Sequence, residues 1–279
     1  MTYFHRTLLA SALTVSLASS TIYAHQSCDV DLSASFTINP NAIEFLHDEG
    51  ENDGKKRSLY KIIEGEKLII DKQSIVLTET QQALLQKYDE KIRQLVPQVK
   101  SVAIEGVDLA VEGVNLAFNA LLGEGNSVAA DLTQELTKIR AQIVANLSIE
   151  DGISVGVDGL ASEELLGKDF EQRIESVVEK AVLNSMGSIL IAMGQRMVAA
   201  DGEQQSFVTR LENFSDTIEQ EMTARVAKIE QKALALCLSI AEVDALEEQL
   251  KDEIKLLAHI NVFTVTVAHD KDEHHASAK

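Results

Sequence analysis

The chain has two cysteines, Cys28 and Cys237, and their placement constrains the fold more than any other feature. Cys28 follows a segment with the grammar of an export signal. A short basic start (His5, Arg6) leads into an apolar run of small residues from Thr7 to Ile22, and Ile22-Tyr23-Ala24 offers a cleavage site. The run is too short and too interrupted by Ser and Thr to span a membrane, so residues 1–24 read as a secretory signal peptide cleaved after Ala24. An even number of cysteines in an oxidising compartment is expected to pair. A Cys28–Cys237 bridge requires the last long helix to fold back past residues 29–77. Closing a loop of about two hundred residues stabilises by roughly 5 kcal/mol at most in the chain-entropy account. His25-Gln26-Ser27 departs from the Leu-Ala-Gly pattern that precedes a lipid-modified cysteine, and the apolar run has already ended, so no acyl anchor is expected.

The formal charge of −19 repels phosphate backbones and anionic lipid, which argues against nucleic-acid and membrane-surface binding. Hydrophobic residues at 45% argue against global disorder. With no Trp and aromatics at 4%, the core must be built mainly of Leu, Ile, Val and Ala, a composition that suits helices.

Residues 25–77 read as a small β-meander. Val30, Leu32, Ala34, Phe36 and Ile38 alternate with polar partners, the period of a half-buried strand. Asn39-Pro40-Asn41 is a turn, and Ile43 and Phe45 open a second strand. An acidic loop, Asp48 to Gly54, precedes three short apolar runs, 59–63, 67–70 and 74–77, giving four or five strands in all.

Residues 78–257 read as a helical domain. Thr78 and Gln81 form a capping box, and Leu84, Leu85, Tyr88, Ile92 and Leu95 recur at helical spacing up to Pro97, where a second helix is expected to begin. A seven-residue repeat, Glu105–Val111 then Glu112–Phe118, stacks Gly106 and Gly113 on nearly one face and predicts tight helix packing there. Further helices are expected over Val128–Leu147 and from Ser162 to about Ala200. From Leu211 to Leu257, apolar residues at alternating steps of three and four predict an amphipathic stripe seeking a partner helix, within the chain or in a second copy. Residues 258–279 read as a disordered tail rich in His and acids.

The order of these features resembles the YggN-like periplasmic proteins of Gram-negative bacteria, a family without an established function. The resemblance rests on the signal peptide with Cys28 just after it, the β-rich start, and the passage Ser74-Ile75-Val76-Leu77-Thr78-Glu79-Thr80-Gln81. Tyr88-Asp89-Glu90-Lys91-Ile92-Arg93, leading to Leu95-Val96-Pro97, and Cys237 in the last long helix complete it. It covers roughly residues 1–245. It implies a periplasmic location and carries over no catalytic residues.

Few motifs point to chemistry. Gly152-Ile153-Ser154-Val155-Gly156 matches the G-x-S-x-G of serine hydrolases, but that motif needs a strand-to-helix elbow above a parallel sheet, and the α/β alternation is missing. Ser154 is therefore expected to be a loop residue. The acidic loop lacks the Glu that a calcium-binding EF-hand needs at its twelfth position. His269, His274 and His275 on a floppy tail would bind metal only modestly. Met186, Met193 and Met197 fit a buried core helix.

The sequence thus predicts a mainly α fold with a small N-terminal antiparallel β-meander, its long amphipathic helices packed as a bundle or coiled-coil hairpin. No enzyme, cofactor, catalytic residue or metal ligand is expected. The expected role is binding or scaffolding in the Gram-negative envelope, with an envelope protein or a second copy as partner. The alternatives are a chaperone-like holdase, a carrier of an apolar ligand, or a serine hydrolase using Ser154.

Overall fold

The computed structural model describes residues 27–48, 56–122, 125–160 and 203–268, together with 166, 169, 170, 172–180 and 183. Six strands come first or nearly so: β1 (Ser27–Leu32), β2 (Ser35–Asn39), β3 (Ala42–Asp48), β4 (Lys56–Ile63), β5 (Lys67–Ile70) and β6 (Gln73–Ile75). Two helices follow, α1 (Glu79–Leu122) and α2 (Ser127–Asn146), then the short strand β7 (Ile153–Val155). The long helix α3 (Glu203–Glu253), a 3-10 turn (Lys255–Leu257) and strand β8 (Phe263–Ala268) complete the order.

The meander is present and extends further than expected. Strands β2 to β6 pair antiparallel in sequence order, and β7 adds itself to the free side of β2, giving the order β6-β5-β4-β3-β2-β7. The alternation from Val30 to Ile38 breaks at Ser33-Ala34. Before the break, β1 leaves the sheet and pairs with β8 in a separate two-stranded sheet. Local chemistry sets the turns. The Asn39 side chain accepts the N–H groups of Asn41 and Ala42 at 3.0 and 2.9 Å, closing the β2–β3 hairpin. The two-residue β5–β6 turn puts Asp71 and Lys72 at φ 49° and 64°, the left-handed geometry that a tight hairpin demands of its central pair.

Thr78 caps α1 as expected. Its hydroxyl accepts the Gln81 N–H at 3.3 Å, and the Gln81 side chain accepts the Thr78 N–H at 3.0 Å. One helix runs through Pro97, however, where two were expected. A proline inside a helix costs about 3 kcal/mol. Burial of Ile92 and Leu95 in the turns before it, and two bonds from Lys100 to the carbonyls of Val144 and Leu147 after it, hold α1 in place on both sides. Asn126 caps α2 by accepting the Ala129 N–H at 2.8 Å. Of the two repeat glycines, a Cβ on Gly113 would meet Met222 Cε at 3.3 Å, whereas one on Gly106 would meet nothing within 4 Å. Close packing is a property of Gly113 alone.

The expected bundle or coiled-coil hairpin is overturned. The main core lies between the six-stranded sheet and the helices: Phe36, Ile43, Phe45, Tyr60, Ile62 and Leu68 face Leu85, Tyr88 and Ile92 of α1 and Val243, Leu246 and Leu250 of α3. A stripe at alternating steps of three and four specifies an apolar face, not what covers it, and here a sheet covers its C-terminal half. Helices α1 and α3 do lie side by side, but the pairs Lys91–Glu242, Glu105–Lys232 and Glu112–Arg225 along that contact are charged. A smaller core between α1, α2 and the helical residues 172–180 centres on Ile139, Ile143 and Leu147. The helix ends before the stripe does: Ile254 leaves helical geometry (φ −116°) before the 3-10 turn, yet Ile254 and Leu257 are buried in the same core.

The expected unstructured tail needs the same correction over its first part. Ile260, Val262 and Phe263 are buried in the main core, and β8 is a strand. Residues 28–266 form one compact unit. The acidic loop beyond Asp48, the methionine-rich stretch and the three tail histidines lie outside the described residues, as does most of the helix expected from Ser162. None of the described helices is long and apolar enough to cross a membrane.

Candidate functional site

Where β1, β2, β7 and β8 meet α1 and α3, the core leaves a cavity of about 240 Å3. Phe36 and Ile38 of β2 form one side and Ile92 and Leu95 of α1 another; Ile153 of β7, Ile240 of α3 and Phe263 of β8 also line it, and on the β1 side, at the exposed Val30, it opens to solvent. Every lining residue is apolar or glycine. Ordered water needs two to four polar partners, and dry apolar cavities of about 150 Å3 already admit benzene-sized molecules. The arrangement can take up an apolar molecule and offers it no hydrogen bond.

The disulfide stands beside this cavity. Cys28 and Cys237 are bonded, with Cα atoms 6.2 Å apart. Cys28 is two residues before Val30 and Cys237 three before Ile240, both cavity-lining residues, so the bridge fastens β1 to α3 at the cavity's edge.

On α3, one turn beyond Val243, a carboxylate is buried in the same core. Glu247 is 3% exposed and accepts three bonds from the chain leading into β8. The Val262 N–H reaches both its oxygens at 2.9 and 3.1 Å, and the Phe263 N–H reaches Oε2 at 3.0 Å. Burial raises the Glu247 carboxyl from 4.5 to about 7, against the pull of those N–H groups and of the Lys251 ammonium. Asp244 adds a further bond from the Val265 N–H at 3.1 Å. Across the core, the hydroxyls of Tyr60 and Tyr88 bond to each other at 3.2 Å. Burial pushes both phenols well above 10.0, and the negative charge of Glu247 pushes the same way.

Ser154 is not a loop residue. It lies in β7, opposite Thr37 of β2, in a three-residue strand that the Gly156–Gly159 bridge turns back at once. The strand-to-helix elbow of a nucleophilic serine is therefore missing at this position. Among the described residues, no three His, Cys, Asp or Glu side chains come together as a metal-binding group.

Sequence reasoning found the disulfide and missed both Glu247 and the cavity. Glu247 had a signal: it falls four residues after Val243 and three before Leu250, an acid on the apolar face of an amphipathic helix. The cavity had none, because its walls come from seven separate stretches of the chain.

A family model described as "Protein of unknown function (DUF2884)" matches residues 28–263. No curated protein and no solved structure matches the chain.

Proposed function

We propose, for a chain that belongs to the DUF2884 family of proteins of unknown function, a non-enzymatic role as a binding protein of the bacterial periplasm that carries a small apolar ligand. The observation that carries the reading is the cavity of about 240 Å3, walled by apolar side chains from both ends of the chain. A scaffold needs no such space, and close packing would normally fill it, since voids in cores are costly. Export is supported by the signal-like residues 1–24 and by a disulfide, a bond that persists in oxidising compartments. The acidic surface keeps such a carrier away from anionic lipid while it is in transit.

The test is binding of N-phenyl-1-naphthylamine, a neutral apolar fluorophore, to the mature protein. We expect saturable fluorescence enhancement, lost on Val99→Phe, which places a ring in the cavity space. Enhancement that survives Val99→Phe in a folded protein would place the probe elsewhere and defeat the reading. Cell fractionation tests the location: the mature chain, beginning at His25, is expected in the periplasmic fraction, and recovery in the cytoplasm would refute export.

A further inference from the structure

The cavity has a closed end and an open end, and α1 runs from one toward the other. Ile92, Leu95, Val96 and Val99 line it at steps of three and four, so a single face of α1 forms one side. Exposure rises along that face. Ile92 and Leu95 are buried, whereas Val96 and Val99 are half-buried. At the closed end, Ile92 shares the main core with Phe36 and Phe263, whose rings lie 5.6 Å apart. The exposed Val30 and the half-buried Ile240 border the opening.

Two independent measures give the same size of occupant. Seven residues separate Ile92 from Val99, about 10 Å of helix at 1.5 Å per residue. The volume of about 240 Å3 holds about eight methylene groups, each taken as large as a water in the liquid, roughly 30 Å3. A row of that many methylenes reaches about as far as this stretch of helix.

We infer that the ligand is a single alkyl chain, held tail-first with about eight methylenes inside, whose head stays outside at the Val30 rim and is not an anion. The inference rests on the proposed ligand-binding role of the cavity and names the class of ligand. The head stays outside because every lining residue is apolar or glycine, and a polar group buried there finds no partner. At the rim it meets carboxylates. Asp29 and Asp31 flank Val30 on β1, Asp158 precedes the lining residue Gly159, and all three are exposed. Neighbouring residues stand about 3.8 Å apart, well inside the roughly 10 Å over which charge is felt at moderate salt. Lys100, next to Val99, does not offset them, since its ammonium is bonded to the carbonyls of Val144 and Leu147. An alkylammonium ion is attracted to such a rim and a fatty-acid anion is repelled.

The experiment is calorimetric titration of the mature protein with n-alkylammonium ions of six to twelve carbons and with alkyl carboxylates of the same lengths. We expect one saturable site, lost on Val99→Phe, with affinity rising about fourfold per methylene up to about eight carbons and levelling beyond. Carboxylates are expected to bind about tenfold more weakly at low salt. The exposed pair Asp29→Asn with Asp31→Asn should narrow that gap and leave the chain-length profile unchanged. Affinity that keeps rising through twelve carbons, carboxylates that bind the wild type as well as ammonium ions do, or a gap unchanged in the double variant would each overturn the inference. If N-phenyl-1-naphthylamine binds and is lost on Val99→Phe while the alkyl series fails in one of these ways, the carrier reading stands and the chain assignment falls. If neither the fluorophore nor any alkylammonium ion binds, both fall.

Discussion

The hydroxyls of Tyr60 on β4 and Tyr88 on α1 lie 3.2 Å apart, and each is the other's hydrogen-bond partner inside the sheet–helix core. The Phe45 ring stacks with both, its centroid 4.3 Å from that of Tyr60 and 6.1 Å from that of Tyr88. Removing one hydroxyl leaves the other buried without that partner. Tyr88→Phe should therefore destabilise by about 1–3 kcal/mol, while the double change Tyr60→Phe with Tyr88→Phe should cost much less than twice that. Urea denaturation of the two single variants and the double variant measures the coupling.

The disulfide closes a loop of 209 residues and also fastens β1 beside the cavity. Replacing both cysteines by serine should lower stability by up to about 5 kcal/mol in the chain-entropy account. It should also weaken binding of the apolar probe, because Val30 and Leu32 of the freed strand line the cavity. A non-reducing peptide map should recover the crosslinked pair. Free-thiol labelling of Cys28 and Cys237 in protein isolated from the periplasm would contradict it.

The sign of the Glu247 shift fixes a pH dependence of global stability. The unfolded chain loses this proton near 4.5 and the folded protein near 7. Between those values the native state holds more protons than the unfolded one, so stability falls as pH rises. The loss is complete above the folded value and amounts to about 3 kcal/mol. Melting curves for wild type and Glu247→Gln isolate the effect from the general charge repulsion of an acidic protein. The difference between them should grow in favour of the variant from acid to neutral pH and then level off.

Much of the fold was legible because local chemistry specifies it. Asn39, Thr78 with Gln81, and Asn126 each close a turn or cap a helix through bonds within three residues, and sequence reading placed the first two of these breaks. The disulfide was legible from the even cysteine count and the export signal that the sequence suggests. What covers an apolar face was not. The stripe through Val243, Leu246 and Leu250 has the spacing of a helix–helix seam, yet sheet residues from Phe36 to Leu68, more than 170 residues upstream, bury it. Strand β8 was missed for a related reason: Phe263 to Ala268 is short and follows a helix, and its partner β1 lies at the far end of the described chain. Pro97 misled in the other direction, since a local rule for helix starts yielded to packing on both sides of it.

The remaining serine hydrolase reading can be tested at two adjacent positions. Ile153 and Ser154 share strand β7, but Ile153 is 6% exposed and lines the cavity, while Ser154 is half-buried opposite Thr37. If β7 serves as a wall, the apolar residue carries the consequence of substitution. Ile153→Ala should destabilise by about 2–4 kcal/mol, the usual cost of emptying a buried aliphatic site, and should alter probe affinity by enlarging the space. Ser154→Ala should leave the melting temperature and probe binding within error of the wild type. A nucleophile would behave differently, since Ser154 would then react with a fluorophosphonate. Labelling there, abolished by Ser154→Ala, would mean that β7 carries an activated serine despite lacking the elbow, and the non-enzymatic reading would fall.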